Sequence, residues 1–464
     1  MPQAQQHIQW DVELIKRYDT SGPRYTSYPT AVQFNEGFTQ SHYEQARIAG
    51  NESCQPLSLY VHIPFCAHVC YYCACNKVIT KRREKAQPYL DSLYKEMAMR
   101  ASGYPKDRKV EQLHWGGGTP TFISHEQMSA LMAKMAEYFT LSEDDDRDYS
   151  IEIDPRELQN GTLAHLKKIG FNRVSLGVQD FNEAVQKAVN RVQSLQLTRN
   201  TLQEAKQLGF RSINIDLIYG LPMQSRDSFR DTLKTVLELS PDRLSVFNYA
   251  HLPQRFMPQR RINEKDLPAP QEKLAMLEDS IQLLTQAGYR YVGMDHFAKP
   301  QDSLAQAQIS EKLHRNFQGY TTHKDCDLVA FGVSAISQVG DTYFQNNANI
   351  DAYQDALDAG VLPIVKGLIL NDEDVLRRAV IKQLICHFKL NFPWLQARFN
   401  IDAKSHFSAV LDKLIPYVED ELVILNDTGI QVTKKGELLI RSICMLFDEY
   451  LANPNHQVRY SKVI

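Results

Sequence analysis

The segment LSLYVHIPFCAHVCYYCAC (57–75) decides the fold, because in it a short apolar run leads directly into a cluster of cysteines. Its first nine residues are rich in β-branched and aromatic side chains, over a length that is typical of a buried strand. Cys66, Cys70 and Cys73 follow at once, and Cys75 comes two residues later. The segment therefore predicts a strand that ends in a loop carrying four thiols.

Six more runs of this kind lie downstream, and longer segments with helical spacing separate them. The predicted strands are LSLYVHIPF (57–65), VEQLHWGG (110–117), YSIEIDP (149–155), NRVSLGVQ (172–179), RSINIDLIYG (211–220), DRLSVFNYAH (242–251) and YRYVGMDHF (289–297). Repeated β–α units of this length indicate a parallel sheet with right-handed crossovers. We therefore predict an α/β fold, a partial (β/α) TIM-like barrel whose chemistry collects at the carboxyl ends of the strands.

The pattern changes on both sides of the predicted barrel. Residues 1–55 lack it and contain SGPRYTSYPTAVQF (21–34), so we expect an N-terminal extension with an ordered loop. The barrel domain is predicted over 56–300, and 301–370 would complete it or link it to the rest. From residue 371 an amphipathic helix, a hairpin and a further helix predict a mostly helical, winged-helix-like C-terminal domain over 371–464.

Composition excludes several classes of protein. The chain has 464 residues with Lys+Arg 52 and Asp+Glu 55, so its net charge of −3 gives no reason to expect nucleic acid as a partner. No basic segment followed by an apolar run opens the chain, and no apolar stretch approaches the ~20 residues of a membrane span. We therefore expect a cytoplasmic protein without a membrane span. It should be a monomer, because no amphipathic seam is evident.

The cysteine cluster indicates a metal site, since a reducing cytosol keeps thiols free. A Cys₄ zinc site would need a second pair of cysteines, whereas the other four are scattered along the chain. Those four are Cys54, Cys326, Cys386 and Cys444. Three thiolates would leave one iron of a 4Fe–4S cluster without a protein ligand. A substrate or cofactor could then bind that iron.

The string CAHVCYYC (66–73) resembles the CxxxCxxC motif of the radical S-adenosylmethionine (SAM) enzymes, and Tyr72 before the third cysteine fits that family. The resemblance implies that SAM chelates the open iron. An electron from the cluster would then split SAM into methionine and a 5′-deoxyadenosyl radical. GGGTPT (116–121) is similar to the family's glycine-rich SAM-binding loop, with Gly118-Thr119 where that loop has an acidic residue.

Further strings, spread nearly from end to end, resemble one family of these enzymes, the oxygen-independent coproporphyrinogen III oxidases or dehydrogenases. They are SGPRYTSYPTA, YVHIPFC, LHWGGGTPT, IEIDPRE, GVQDF, VNR, NIDLIYGLP, FNYAHLP, GMDHFA, HRNFQGYTT and GVSAIS. The resemblance implies oxidative decarboxylation of two propionates of coproporphyrinogen III to vinyl groups, which gives protoporphyrinogen IX in haem biosynthesis. It also implies two SAM molecules, an electron donor such as flavodoxin or ferredoxin, and an electron acceptor.

The resemblance also assigns residues by position. The cluster ligands would be Cys66, Cys70 and Cys73. Contacts to the first SAM would come from Tyr60, Gly117, Glu152 and Ile336. Contacts to the second SAM would come from Tyr72, Gly118, Thr119, Gln179, Arg191, Asp216 and Ala250. The catalytic candidates would be Cys75, Tyr60 and Arg24, the last as a cation that meets a propionate.

Two other hypotheses share most of these motifs. One is a haem chaperone-like protein that keeps the cluster without turnover, and the other is a different tetrapyrrole-directed radical SAM protein, such as a methyltransferase. Cys75 and the SGPRYTSYPT leader favour the oxidase over the chaperone. His62 and His251 lack a partner at metal-binding spacing, so we expect them in packing or in hydrogen bonds near the site.

Overall fold

The computed structural model describes residues 8–323, 326–452 and 462, and the chain divides into two compact units. The first, here called the sheet unit, comprises Phe34–Met276 and Asp325–Ile369. The second, here called the terminal unit, comprises 1–33, Leu277–Lys324 and 370–464. Parts of the predicted N-terminal extension and C-terminal domain, residues 1–7, 453–461 and 463–464, lie outside the described residues.

Ten strands form one continuous path through the main sheet of the sheet unit, and the short strand Thr140–Leu141 pairs with one of them. They are β1 (Leu57–Ile63), β2 (Lys109–Gly117), β3 (Asp148–Ile153), β4 (Arg173–Gln179), β5 (Ser212–Tyr219), β6 (Arg243–Asn248), β7 (Asp327–Phe331), β8 (Ile336–Val339), β9 (Thr342–Asn346) and β10 (Ile364–Ile369). Shorter strands are Phe65–Cys66, Val78–Ile79 and Thr140–Leu141. The first six predicted strands are therefore confirmed.

The strand order is β6-β5-β4-β3-β2-β1-β7-β8-β9-β10. Neighbours from β6 to β7 pair in parallel, and from β7 to β10 they pair antiparallel. Two interior strands are buried on both faces: β7 is buried throughout, and β1 at every residue except Tyr60. Because both faces of such strands are covered, their sequences are nearly continuous apolar runs. The prediction of an α/β fold with a parallel sheet is confirmed.

Helices follow the parallel strands, as the repeated β–α pattern requires. The helices of the sheet unit are Gln40–Glu52, Ala86–Ala101, His125–Tyr138, Thr162–Lys168, Glu183–Ala188, Leu195–Gln207, Arg226–Leu239 and Ile350–Asp358. The helix Pro270–Gln286 contains the boundary between the units. Ser124 and Ser225 begin two of these helices with capping boxes, in which the serine oxygen accepts from the backbone N–H three residues later.

The single strand predicted over 289–297 is wrong. The chain forms the antiparallel pair Arg290–Gly293 and His296–Ala298 instead. Gly293 has a φ of +138° and Met294 a φ of +54°, and these left-handed conformations reverse the chain between the two strands. The seventh parallel strand is β7, which follows about thirty residues later.

The terminal unit is mainly helical. Its helices are Val12–Tyr18, Ser303–Ile309, Asp372–His387, Phe392–Phe399, Ala403–His406, Ser408–Glu419 and Ile440–Met445. Its remaining strands are His314–Asn316, Gly319–Thr321, Lys389–Asn391, Val423–Asn426 and Gly429–Val432. The last two form the predicted hairpin, and the helix Ile440–Met445 follows it, so the expected helical C-terminal architecture is confirmed.

The leader around residues 21–30 packs within the terminal unit without regular structure. The guanidinium group of Arg441, which is buried, donates from Nε to the carbonyl oxygen of Pro23 at 3.0 Å and from Nη2 to that of Gly22. Tyr25 donates from its hydroxyl group to Asp448 Oδ2 at 2.9 Å. The leader is thus an ordered loop, as predicted. No helix among the described residues is long and apolar enough to cross a membrane.

Candidate active site

The cysteine loop begins where β1 ends, and a small strand pair closes it. Phe65 lies opposite Val78 and Cys66 opposite Ile79, so the two ends of the loop run side by side. Within the loop, the Cys73 N–H donates to the carbonyl oxygen of Cys70 at 3.2 Å. Cys66, Cys70 and Cys73 are therefore carried by one short closed loop.

Residues that follow β4 and β6 hold this loop through its backbone. The Tyr71 N–H donates to the carbonyl oxygen of Val189 at 2.9 Å, and Asn190 Nδ2 donates to that of Val69 at 2.7 Å. Gln259 Nε2 donates to the carbonyl oxygen of Tyr72 at 3.0 Å. The position of the thiols is consequently determined by several strand ends and not by the loop alone.

Three side chains donate hydrogen bonds to cysteine sulfurs. Thr119 Oγ1 lies 3.5 Å from Cys66 Sγ, while Arg156 Nη2 and Arg191 Nη1 lie 3.5 and 3.6 Å from Cys70 Sγ. Donors and cations beside a sulfur favour the thiolate, the form that binds a metal. Burial raises the pKa of Cys66 to about 12, and a coordinating metal reverses that preference.

Cys73 and Cys75 form a coupled pair. A hydrogen bond from the Cys75 thiol lowers the pKa of Cys73 to about 6, and the same bond raises that of Cys75. Lys77 Nζ donates to the carbonyl oxygens of Cys73 and Cys75 at 3.1 and 3.2 Å, and its charge also favours the Cys73 thiolate. Cys73 is therefore the anionic member of the pair, and Cys75 keeps its proton.

The glycine-rich loop lies directly against the end of β1. The Gly118 N–H donates to the carbonyl oxygen of Ile63 at 2.8 Å. Gly117 has a φ of +112°, and a Cβ atom there would lie 2.7 Å from His62 Cε1. A Cβ atom on Gly118 would lie 2.7 Å from the carbonyl carbon of Pro64. Side chains at these two positions would therefore displace the loop.

The hydrogen bonds of His62 fix its tautomer. Its Nε2 lies 2.9 Å from the carbonyl oxygen of Asn76, which can only accept, so Nε2 carries the proton. Nδ1 then accepts from the Tyr60 hydroxyl group at 3.1 Å. Burial lowers the pKa of His62, so the ring is neutral. His62 thus orients Tyr60, which agrees with the expected hydrogen-bonding role.

Glu152, near the end of β3, contacts both His114 and the glycine-rich loop. It accepts from His114 Nε2 at 3.4 Å and from the Gly117 N–H at 3.3 Å. Burial is the largest single effect and opposes ionisation, but the hydrogen bond and charge of His114 and the Gly117 N–H together outweigh it, so the pKa of Glu152 is lowered. The Tyr60 ring stacks on the His114 ring with centroids 5.9 Å apart. Tyr60, Gly117 and Glu152 are therefore brought together.

Arg191 is buried in an ion pair that the sequence did not predict. Asp154 Oδ2 accepts from Arg191 Nη1 at 2.9 Å and from Arg156 Nη2 at 2.6 Å. Burial opposes ionisation, but the Arg191 and Arg156 charges lower the pKa of Asp154 to about 2. Both missed residues lie in the string IEIDPRE at the end of β3, and their position at a strand end was the available signal.

Asp216 lies on β5 among neutral donors. Its oxygens accept from Ser175 Oγ at 2.9 Å and from Asn214 Nδ2 at 2.8 Å. Burial and the Glu152 charge raise the pKa of Asp216 to about 6. The carboxylate is therefore available near neutral pH at a free-energy cost.

Gln179 ends β4 in a conformation that is rare for a residue with a side chain. Its φ is +73°, and the pairing of β4 with β5 slips by one residue between Gly177 and Gln179. Its Oε1 is buried and accepts no hydrogen bond from any described residue. A left-handed residue with an unused acceptor is typical of a ligand site.

The remaining predicted residues lie at three different places. Ala250 follows β6, and its carbonyl oxygen accepts from Gln259 Nε2 at 3.2 Å. Ile336 is the first residue of β8. Arg24 belongs to the terminal unit, where its Nη1 lies 2.6 Å from Asp295 Oδ2.

Comparisons with known proteins agree with this geometry. A family model for the radical SAM superfamily matches residues 60–236, and one for the HemN C-terminal domain matches residues 370–439. The oxygen-independent coproporphyrinogen III oxidase of Pseudomonas aeruginosa is 57% identical over 461 residues, covering 98% of this chain and 99% of the relative. That of Escherichia coli is 50% identical, covering 99% of each.

A solved structure extends the similarity to three dimensions. It is described as coproporphyrinogen III oxidase (HemN) from Escherichia coli, a radical SAM enzyme. It superposes with a TM-score of 0.91 at 50% identity and covers 96% of this chain and 99% of its own.

Proposed function

Because the chain belongs to the family of oxygen-independent coproporphyrinogen III oxidases, we propose how its residues perform the reaction of that family. It is a radical SAM enzyme, and it oxidatively decarboxylates two propionates of coproporphyrinogen III to vinyl groups in haem biosynthesis. Membership of the superfamily implies a 4Fe–4S cluster and SAM.

Cys66, Cys70 and Cys73 hold the cluster in this proposal. The closed loop and the three donors to sulfur support these ligands, since hydrogen bonds to thiolates stabilise the reduced cluster. When bound, the cluster and SAM supply reductive cleavage of SAM and a 5′-deoxyadenosyl radical that can take a hydrogen atom from a propionate.

Two SAM molecules bind side by side in this proposal. The first contacts Tyr60, Gly117, Glu152 and Ile336; the lowered pKa of Glu152 supports a carboxylate that accepts from an amino group. The second contacts Tyr72, Gly118, Thr119, Gln179, Arg191, Asp216 and Ala250. The unused Gln179 Oε1 and the Asp216 carboxylate can accept from ribose hydroxyl groups, and Arg191 can donate to a carboxylate.

Cys75, Tyr60 and Arg24 are the proposed catalytic residues. The protonated Cys75 thiol lies beside Cys73 and can donate a hydrogen bond to that cluster ligand. Tyr60 is held by the neutral His62. Arg24 is proposed to meet a propionate, exchanging its present partner Asp295 for the substrate carboxylate.

The electron donor, the oligomeric state and the location in the cell are further proposals. We propose a flavodoxin or ferredoxin as donor, an electron acceptor for the second half of the oxidation, and a cytoplasmic monomer. Light scattering after size-exclusion chromatography should give a mass near 53.2 kDa. A mass of about twice that value would contradict the monomer.

The cysteine loop with its three donors to sulfur carries the proposal, and one anaerobic assay tests it. Protein reconstituted with iron and sulfide receives SAM, dithionite and coproporphyrinogen III. We expect release of CO₂ and 5′-deoxyadenosine together with protoporphyrinogen IX. Unchanged substrate, or a product that has gained a methyl group, would refute the proposed reaction.

Replacing each proposed ligand tests the assignment. We expect Cys66→Ser, Cys70→Ser and Cys73→Ser to lose the visible absorbance of the cluster and all activity, because two thiolates cannot hold it. Cys75→Ser should keep the absorbance and lose turnover. The exposed Cys54 supplies a matched control, and Cys54→Ser should match the parent. Full iron content in any of the first three variants would overturn the ligand assignment.

A further inference from the structure

Arg315 is a buried cation whose hydrogen-bonding capacity is largely unused. It lies in the terminal unit on the strand His314–Asn316, opposite Tyr320 of the partner strand. Its side chain packs over the Tyr320 ring at 4.6 Å, and the residue is 4% exposed. Among the described residues, no acceptor is within hydrogen-bond distance of its Nε or Nη1.

Arg315 lies near the guanidinium group of Arg441. Burial and the charges of Arg24 and Arg315 lower the pKa of Arg441 to about 10, while Asp295 acts in the opposite direction. Asp295 itself is bonded to Arg24, and Arg441 donates to the backbone of the leader. Asp295 is thus paired with Arg24, whereas no described carboxylate accepts a hydrogen bond from Nε or Nη1 of Arg315.

Burying such a group is expensive. A guanidinium group does not lose its proton in a protein, so it cannot escape the cost of burial by neutralising. A buried charge without a protein partner is typical of a site where a bound ligand supplies the hydrogen-bonding partner. Gln318, at the turn of the same hairpin, also has both amide atoms buried without a hydrogen-bond partner among the described residues. Two unused polar side chains three residues apart indicate a ligand site.

We propose that Arg315 binds a carboxylate of the porphyrinogen substrate, with Gln318 beside it. The inference rests on the proposed function, which supplies a substrate with several propionates. The planar guanidinium group offers two parallel N–H donors to a carboxylate, and Gln318 Nε2 can add a third. Arg24 already has a carboxylate partner in Asp295, whereas Nε and Nη1 of Arg315 are free to take one from the substrate.

Binding without turnover tests the inference. Reconstituted protein, without SAM or reductant, is dialysed anaerobically against coproporphyrinogen III, which is quantified by fluorescence after oxidation. We expect Arg315→Gln to raise the Kd about tenfold or more, because a charge-assisted pair of hydrogen bonds is lost. The Kd of Arg315→Lys should lie between those of the parent and Arg315→Gln, because lysine keeps the positive charge but lacks the two parallel N–H donors of the guanidinium group.

Two controls separate binding from folding. Arg398→Gln removes an exposed arginine of the same unit, which packs on Trp394, and should leave the Kd unchanged. The ligand-free melting temperature of Arg315→Gln should equal or exceed that of the parent, because an unpaired buried charge disappears. A lower melting temperature in both Arg315 variants would show a structural role and overturn the inference.

The tetramethyl ester of the substrate distinguishes carboxylate recognition from shape. We expect the parent and Arg315→Gln to bind the ester with the same affinity. Equal affinity of both proteins for the free acid would overturn the inference and leave the proposed function intact. A parent protein that does not bind coproporphyrinogen III would overturn the proposed substrate, and the inference would fail with it.

Discussion

The carboxyl group of Asp216 is placed where ionisation is costly. Its pKa of about 6 in the folded chain exceeds the value near 3.8 expected in the unfolded chain. The folded state therefore holds the proton more tightly. The contribution of Asp216 to the free energy of unfolding is greatest below about pH 4 and is lost as the pH rises through about 6.

Asp216→Asn should remove this pH dependence. Between pH 5.5 and pH 7.5 the parent loses about 0.8 kcal/mol from this group, and the amide loses none. The difference in melting temperature, variant minus parent, should therefore be larger at pH 7.5 than at pH 5.5 when all samples are heated at the same rate. The amide oxygen can still accept from Asn214 Nδ2, and the Ser175 hydroxyl group can turn to accept from the new NH₂ group. A difference that is the same at both pH values would contradict the prediction.

At the scale of single residues, the sequence predicted which side chains belong to the site better than it predicted which of them pair with each other. The spacing of Cys66, Cys70 and Cys73 shows that three thiols share one loop, because loops of a few residues leave little freedom. The ion pair of Arg191 with Asp154 could not be read in this way. Its members are 37 residues apart, and only the alignment of β3 with β4 brings them together.

The helix Ala86–Ala101 is joined to the main sheet by a buried polar network. Arg100 Nε donates to Glu96 Oε1 at 2.9 Å, and both side chains are fully buried. Glu96 Oε2 accepts from the Gly332 N–H at 2.9 Å and from the Tyr353 hydroxyl group at 2.7 Å. Gly332 directly follows β7, so the helix and the end of that strand share one carboxylate.

Glu96→Ala should destabilise the protein by about 3–5 kcal/mol, because Arg100 would remain buried without its carboxylate. Lys95 on the same helix forms an exposed ion pair with Asp358, at 2.5 Å. Exposed pairs contribute little, so Lys95→Ala should melt at the temperature of the parent. Thermal denaturation followed by circular dichroism measures both. Equal melting temperatures for the two variants would show that the network is dispensable.

Elements with strong local patterns were predictable, and those defined by distant pairing were not. β1 to β6 are buried runs with turn residues on both sides, and each lies where its pattern indicates. The run 289–297 has the same composition, but Gly293 and Met294 reverse the chain inside it. β7 has only five residues, too few to stand out before its neighbour β1 is known.

On the scale of the whole chain, the terminal unit collects three separate segments. Both the helix Val12–Tyr18 and the leader belong to its interior: Leu14 packs with Leu422 and Leu439, and Arg441 donates to the backbone of Gly22 and Pro23. The sequence could not reveal this assembly, because composition and periodicity describe contiguous segments. It placed a boundary near residue 55, whereas the structure divides the chain at residue 33.

A chain that starts at residue 34 should therefore melt at a lower temperature. It loses two hydrogen bonds to a buried guanidinium group, each worth about 1.5–3 kcal/mol, together with the packing of Leu14. Limited proteolysis should cut the truncated protein within 370–452 before it cuts the parent there. Lys16→Ala alters an exposed residue of the helix Val12–Tyr18 and should change neither result. Equal protease resistance of the truncated chain would refute the role of the leader.

The strand pair that closes the cysteine loop has a consequence for survival in air. Phe65–Cys66 and Val78–Ile79 are joined by backbone hydrogen bonds, which do not depend on iron. If oxygen destroyed the cluster, the cysteine loop would therefore keep its fold. Rebuilding the cluster would then require only iron and sulfide and no refolding, so the protein could regain its activity.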